Sequence, residues 1–142
     1  MAGVKGSAER LLVVMLRSIG SILVLAFPFA LMPAASMASN HAWLGLGEFP
    51  DTTIVSYLTR SIALLYGFHG VLFWVVSFDV RRFAPVLIYI GVMNIIFGLG
   101  LTGIDLHAGM PWFWSLGEGP PEAVVGVVIL VVLARARRDW AD

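Results

Sequence analysis

Cysteine is absent from the 142 residues, and only 13% of them are charged. Within this chain, the lack of cysteine excludes disulfides, thiolate metal ligands and thiol chemistry. The formal net charge is 0, and no basic stripe stands apart from the apolar segments. This charge pattern argues against a nucleic-acid partner. Intrinsic disorder is also disfavoured, because it requires low hydrophobicity together with high net charge.

Apolar residues are in excess, at 59%, compared with about 45–50% in an ordinary globular domain. One soluble core of this size cannot bury so much apolar surface. Four segments have the length of a membrane-spanning helix, which needs roughly 20 apolar residues: about 18–37, 53–76, 83–104 and 120–136. We therefore expect an all-α membrane domain over 1–142. It would be a bundle of four transmembrane helices, with outer loops at about 38–52 and 105–119.

Several residues at the segment ends are typical of helix boundaries. Asp51 and Thr52 can cap the second helix. Pro85 and Pro120 fall in the first turns of the third and fourth helices, where a missing N–H costs nothing. Pro28 lies inside the first segment, so we expect a kink there.

The first segment also has the features of a signal peptide, namely a basic start, an apolar run and small residues at 34–38. Its apolar run is longer than a typical signal core, and it is part of the chain that begins at Met1. We therefore expect it to be retained as a transmembrane helix.

Basic residues are distributed unevenly between the two sides of the predicted membrane domain. Eight of the nine flank the segments on one side: Lys5, Arg10, Arg17, Arg81, Arg82, Arg135, Arg137 and Arg138. The two outer loops contain none. The positive-inside rule then predicts that both termini are cytoplasmic, in the manner of a multi-pass protein of a bacterial inner membrane.

The opposite, outer side collects acidic, histidine and tryptophan residues. They are Glu48, Asp51, Asp105, Glu118, Glu122, His41, His107, Trp43, Trp112 and Trp114. Tryptophan is enriched at membrane interfaces. We therefore expect the polar chemistry of the protein at its non-cytoplasmic face.

Arg60 is the one basic residue inside a predicted span. It lies about seven residues into the second helix, roughly 10 Å along the axis. A charge near the middle of a bilayer costs on the order of 2.5–3.5 kcal/mol, so it should face the protein interior and have a partner. The acids at a suitable depth are Asp105, Glu118 and Glu122. Two interpretations remain open: an ion pair that fixes helix register, and a site for an anion or polar ligand.

Two stripes of small and polar residues share helix faces by their spacing of three and four residues. The first consists of Arg60, Ala63, Gly67, Gly70 and Trp74, and the second of Gly91, Asn94, Gly98, Thr102 and Asp105. Small residues let membrane helices approach closely. The stripes are expected to pack on each other; alternatively, Asn94, Thr102 and Asp105 line a small cavity that opens outward.

His69 lies in the inner half of the second helix, near Tyr66 and Phe73 by helical spacing. A bis-histidine haem would need a second membrane-embedded histidine, and the other two lie in outer loops. A hydrogen-bonded core histidine is the better interpretation. The spacing of acids and histidine over 105–122 matches no zinc or calcium motif, so this segment is expected to anchor at the membrane interface rather than to bind metal.

Short motifs resemble those of the DoxX-like small bacterial membrane proteins and related families of unknown function. They are Arg60 followed by Tyr66, Gly67 and Gly70, the basic pair Arg81 and Arg82, and the segment Gly109, Met110 and Pro111 followed by Glu118 and Glu122. The similarity covers about 43–134. It implies a four-helix bundle, in some members associated with respiratory or redox partners. A thiol role does not transfer, because this chain has no cysteine.

These observations predict a structural or accessory membrane protein that works as a homo-oligomer or as a subunit of a larger membrane complex. An alternative is a binding protein or enzyme for a small amphipathic molecule, such as a quinone or lipid, at the outer end of the bundle. A transporter is a third alternative, less favoured because four short helices enclose little volume. The sequence points to the lipid bilayer as a partner, and to no catalytic residue set or particular cofactor.

Overall fold

Every regular element that the structure describes is a helix. The structure is a computed structural model that describes residues 6–50 and 52–140. The seven helices in these ranges are α1 (Ser7–Val24), α2 (Phe27–Ala30), α3 (Ala34–Trp43), α4 (Thr53–Ser77), α5 (Ala84–Ala108), α6 (Trp112–Gly117) and α7 (Gly119–Asp139). The all-α fold class is therefore confirmed.

Four helical stretches of the described chain are long and apolar enough to cross a membrane. They are Ser7–Ala30, Thr53–Ser77, Ala84–Ala108 and Trp112–Asp139. Their number agrees with the sequence prediction. Large apolar side chains on them are exposed, for example 70% of Leu65 and 65% of Leu99.

The first apolar helix lies earlier in the chain than the predicted span of 18–37. It begins at Ser7 because the apolar residues before position 18 continue the helical period, and Leu12 is fully buried. It ends at Val24, and Pro28 and Pro33 stand in the first turn of α2 and just before α3. Proline has no N–H with which to continue a helical ladder. The expected kink is therefore a break into three helices.

The predicted outer loop at 105–119 is largely helical, whereas the loop at 38–52 is helical only as far as Trp43. α5 continues through Asp105 to Ala108 and ends at Gly109, whose φ of 69° is the left-handed conformation that glycine adopts at helix ends. The helix thus ends at a left-handed glycine cap beyond its first acidic residue. At the other loop, Asp51 lies outside the described residues. Its neighbour Thr52 accepts a hydrogen bond from the Val55 N–H at 3.4 Å, as expected of a capping side chain.

The chain forms two compact units, one of residues 16–75 and one of residues 1–15 with 76–142. Composition and spacing predict one membrane domain and contain no sign of this division. The first unit takes in most of α4 and the second contains α5, α6 and α7.

In the unit of residues 16–75, small residues bring α1 and α4 into backbone contact. A Cβ atom on Gly70 would lie 2.7 Å from the Gly20 carbonyl oxygen. Gly67 faces the ring of Phe27 in the same way. Near the other end of the contact, Trp74 Nε1 donates a hydrogen bond to Ser21 Oγ at 3.2 Å.

In the other unit, α5 and α7 run antiparallel with their backbones in contact. Gly91 lies against Gly126, whereas Gly98, further along α5, lies against Gly119, earlier in α7. A Cβ atom on Gly126 would lie 2.5 Å from the Gly91 carbonyl oxygen. Only glycine permits this approach.

The two small-residue stripes were expected to pack on each other, but the closest neighbours of their glycines lie on other helices. The nearest atoms to Gly67 and Gly70 belong to residues of α1 and α2, and those nearest to Gly91 and Gly98 belong to α7. Periodicity identified both faces but not the helix that each face meets. Ala63, on the first stripe, is buried.

Replacing Gly126 with Ala is expected to lower the stability of the protein by about 1–3 kcal/mol, the usual effect of overpacking. The added methyl group would meet backbone rather than a side chain that could move. Thermal unfolding of the purified protein in detergent measures the loss. Gly100→Ala on α5 is the matched control, because a Cβ atom there meets nothing within 4 Å. Equal unfolding midpoints for the two variants would contradict this packing.

Candidate functional site

The side chain of Arg60 forms hydrogen bonds with a side chain and a backbone carbonyl of its own unit. Its Nη1 donates a hydrogen bond to Ser56 Oγ, one turn earlier on α4, and its Nη2 donates to the Met32 carbonyl oxygen at 3.1 Å. Side chains of a helix lean toward its N-terminus. The guanidinium therefore lies about one turn, or roughly 6 Å, closer to the start of α4 than a reading of its sequence position suggests.

The Met32 carbonyl belongs to the break between α2 and α3, where the chain has no regular helix. Carbonyl groups at a helix end lack an intrahelical donor and need one from elsewhere. Arg60 supplies a charged donor to one of them, and such bonds are stronger than neutral ones. The observed acceptors of Arg60 are thus neutral, whereas an acid was expected. Its pairing with Asp105, Glu118 or Glu122 stays a prediction.

The polar residues of α5 differ in burial. Asn94 and Asp105 are buried, with 4% and 6% of their surface exposed. They are three helical turns apart, so they share one face. Thr102 is half-buried, and its hydroxyl donates to the Gly98 carbonyl oxygen at 2.8 Å within α5. His107 is exposed in the last turn.

Among the described residues of this unit, three buried polar atoms have no hydrogen-bond partner: Asn94 Nδ2, Asp105 Oδ2 and Ser115 Oγ. An unsatisfied buried group costs about 1–3 kcal/mol. A water molecule or ligand that reached these atoms would recover this energy. Sequence reasoning missed Ser115, whose only signal is a hydroxyl within the otherwise apolar helix α6.

Glu118 and Glu122 lie at the start of α7. Trp114 Nε1 donates a hydrogen bond to Glu118 Oε2 at 2.7 Å, so that carboxylate joins α6 to the residue that precedes α7. Glu122 is half-buried in the first turn of α7, where the helix dipole favours a negative charge. Both carboxylates therefore have structural functions at this helix end.

A second polar cluster, which sequence reasoning missed, consists of Glu9, Arg81 and Trp140. Glu9 is 5% exposed. Its Oε2 accepts hydrogen bonds from Arg81 Nε at 3.3 Å and from Trp140 Nε1 at 3.0 Å. The Arg81 guanidinium also lies over the Trp140 ring, 5.4 Å from its centroid. The sequence feature that could have indicated this cluster is Glu9, a single acid among the basic residues near the N-terminus.

The two polar residues in the middle of α4 are half-buried. His69 packs edge-on against Phe73, with the ring centroids 5.0 Å apart; Tyr66 lies one turn earlier. Across residues 6–50 and 52–140, no three His, Cys, Asp or Glu side chains are grouped as metal ligands would be.

A hollow of about 710 Å³ follows α3 in the unit of residues 16–75. It is lined by Ala38, Ala42, Gly45, Gly47, Glu48 and Phe49. His41 Nδ1 donates a hydrogen bond to the Gly47 carbonyl oxygen at 3.0 Å, and its ring is edge-on to Phe49. Gly45 and Gly47 have φ values of 72° and 86°, which shape the loop around this hollow.

No protein-family model, curated protein or solved structure matches this chain. The resemblance to DoxX-like proteins therefore stays a prediction, and the site assignments depend on geometry alone.

Replacing Arg60 with Met keeps the length of the side chain but removes both donors. We expect a loss of about 1–3 kcal/mol, because the Met32 carbonyl loses its charged partner. Ser56→Ala removes one acceptor and leaves the bond to Met32, so it should cost less. Thermal unfolding in detergent gives both values. An Arg60→Met protein as stable as the wild type would rule out the fastening function and favour a ligand at Arg60.

Replacing Arg81 with Gln should destabilise the protein by about 1–3 kcal/mol, because it leaves a buried carboxylate short of a charged donor. The neighbouring variant Arg82→Gln is the control. The Arg82 guanidinium lies over the adjacent Phe83 ring, and its side chain is exposed. Chemical unfolding compares the two. If Arg82→Gln were as harmful as Arg81→Gln, the Glu9 cluster would not be the source of the effect.

Proposed function

We propose that this chain is a multi-pass protein of a bacterial inner membrane. Its four apolar helices form a bundle of the DoxX-like kind, and its function is structural or accessory. It acts as a homo-oligomer or as a subunit of a larger membrane complex. The observation that carries this proposal is that Arg60, a charged residue within an apolar helix, donates a hydrogen bond to the Met32 carbonyl oxygen at the break between α2 and α3.

The other polar groups support the same conclusion. Thr102 bonds to its own helix, Glu118 is held by Trp114, and Glu9 is held by Arg81 and Trp140. These side chains join segments of the chain to one another. This arrangement is typical of a scaffold more than of a reaction centre, in which a nucleophile and a base face a substrate.

Exposed apolar faces give such a scaffold surfaces on which lipid or other subunits can pack. Ile22, Leu65, Phe68 and Leu99 are each more than 60% exposed on the apolar helices. In water, contiguous apolar surface of this kind would be an aggregation liability. In a bilayer it is the expected outer surface.

The proposed topology places both termini in the cytoplasm. Seven basic residues lie near the ends of the apolar helices on that side, and the eighth, Arg17, lies within α1 rather than before the first span as expected. The contacts of Glu9 with Arg81 and Trp140 join the N-terminal helix, the turn between α4 and α5, and the end of α7. An even number of spans requires those three regions to lie on one side.

Reporter fusions test this topology. A reporter active only in the cytoplasm should work when fused after residue 142 and in the turn at 78–82, and should fail when inserted at 45–48. Activity at 45–48 with silence at the other two positions would invert the proposed orientation. Carbonate extraction of the membrane fraction checks insertion independently.

A second candidate function is the binding of a small amphipathic molecule, such as a quinone or lipid. The hollow after α3 carries this candidate, because its walls are mostly apolar, although it is wide open and Ala42, Gly45, Gly47 and Glu48 in its lining are exposed. The Glu48 carboxylate offers one polar contact in it.

A short-chain ubiquinone serves as the probe that separates the two candidates. Under the accessory proposal, native mass spectrometry of the gently extracted protein shows a defined oligomer or stoichiometric partner subunits. The probe then binds the wild type no better than it binds the Ala42→Leu variant, in which the larger side chain fills the hollow. Saturable binding that is lost in Ala42→Leu but kept in Ala35→Leu would establish the second candidate. A monomer without partners would contradict the accessory proposal.

A further inference from the structure

A groove of about 190 Å³ lies between the first turns of α1 and the last turns of α7, inside the unit that contains both. It is lined by Ser7, Ala8, Leu11, Val132 and Arg135. From this groove we infer a binding site for one anionic phospholipid, in addition to the accessory function proposed above. The site depends on the proposed membrane insertion, because its occupant is a bilayer lipid.

The groove has a polar end and an apolar end. α1 starts where α7 ends, since Gly6 lies beside Asp139 and Glu9 bonds to Trp140. Ser7 and Arg135 are therefore nearer that end than Leu11 and Val132, which lie about one turn deeper along their helices. This gradient matches a phospholipid, with a charged phosphate at the interface and an acyl chain directed into the bilayer.

Arg135 is the charged group that recognises the phosphate. It is exposed, and it forms no ion pair with any carboxylate in the described part of the chain. A guanidinium binds phosphate oxygens through paired N–H donors in a fixed geometry. The Ser7 hydroxyl adds a donor at the same end of the groove.

The acid nearest in sequence to the groove residues of α1 does not compete with the phosphate. The Glu9 carboxylate is buried and already accepts hydrogen bonds from Arg81 and Trp140. Its helical position also differs from that of Ser7, Ala8 and Leu11, which share a face. Asp139 also lies at this end, beside Gly6 and one helical turn after Arg135, but it forms no ion pair with Arg135.

The size of the groove suits part of a lipid. A volume of about 190 Å³ accommodates a phosphate and the first segment of one chain, and the rest of the lipid would remain in the bilayer. The exposed residues Arg137 and Arg138 raise the positive potential nearby and favour anionic over zwitterionic headgroups.

Native mass spectrometry of the full chain in detergent tests the site. The probes are phosphatidylglycerol and phosphatidylcholine with identical acyl chains. The wild type should retain phosphatidylglycerol about fivefold better, the ratio that one nearby arginine provides. Arg135→Gln should remove most of this preference, and the matched control Arg138→Gln, outside the groove, should keep most of it.

Two further experiments distinguish lipid binding in the groove from nonspecific attraction to a basic surface. Ala8→Leu fills the groove without changing the charge and should lower phosphatidylglycerol retention to the level of Arg135→Gln. Free glycerol phosphate should fail to displace the lipid, because it has no acyl chain. Equal losses in Arg135→Gln and Arg138→Gln, unchanged retention in Ala8→Leu, or displacement by glycerol phosphate would each overturn the site.

Failure of this inference differs from failure of the proposed function. A protein that the reporters and carbonate extraction place in the membrane, but that retains both lipids equally, lacks only the lipid site. If the protein is absent from the membrane fraction, both the lipid site and the proposed membrane function are contradicted.

Discussion

The structure depends on one constraint, the hydrogen bonding of backbone groups where an apolar helical segment is interrupted. In the membrane location proposed above, no water is available in the hydrocarbon to bond a free carbonyl, so the protein must provide the donor itself. The break between α2 and α3 creates such carbonyls, and Arg60 reaches one of them from α4. Arg60, whose charge would be energetically unfavourable in a membrane span, thereby becomes the hydrogen-bond partner of the Met32 carbonyl.

Close packing of small residues is the complementary feature. Where the backbones of α5 and α7 touch, the glycines leave no room for a ligand, and the contact itself holds the pair. The buried polar groups without partners, Asn94, Asp105 and Ser115, belong to the same unit. They mark where a bound water molecule would be most stabilising.

The all-helical class and the four apolar helices could be predicted from the sequence, because hydropathy over about 20 residues depends on composition alone. The helix ends were harder to predict. α1 begins well before Ser18, because the apolar residues before that position continue the helical period. α5 continues past Asp105 and ends at a left-handed glycine rather than at its first acidic residue. Helical spacing identified the faces of Gly70 and Gly91 but not their partner helices.

The candidate site shows a similar limit. Arg60 was singled out because a charge in a span is rare, but its acceptor is a backbone carbonyl, which no side-chain pattern reveals. Glu9 escaped notice because its partners Arg81 and Trp140 are distant in sequence. Contacts of this kind depend on tertiary structure.

Solid-state NMR of the protein in lipid bilayers tests most directly whether Arg60 binds the backbone carbonyl at the break between α2 and α3. The experiment measures dipolar coupling between ¹⁵N-labelled arginine side chains and the ¹³C-labelled carbonyl of Met32. The account predicts a strong coupling for Arg60, in keeping with the 3.1 Å between its Nη2 and the carbonyl oxygen. Coupling of Arg60 to a carboxylate carbon, with none to Met32, would contradict it.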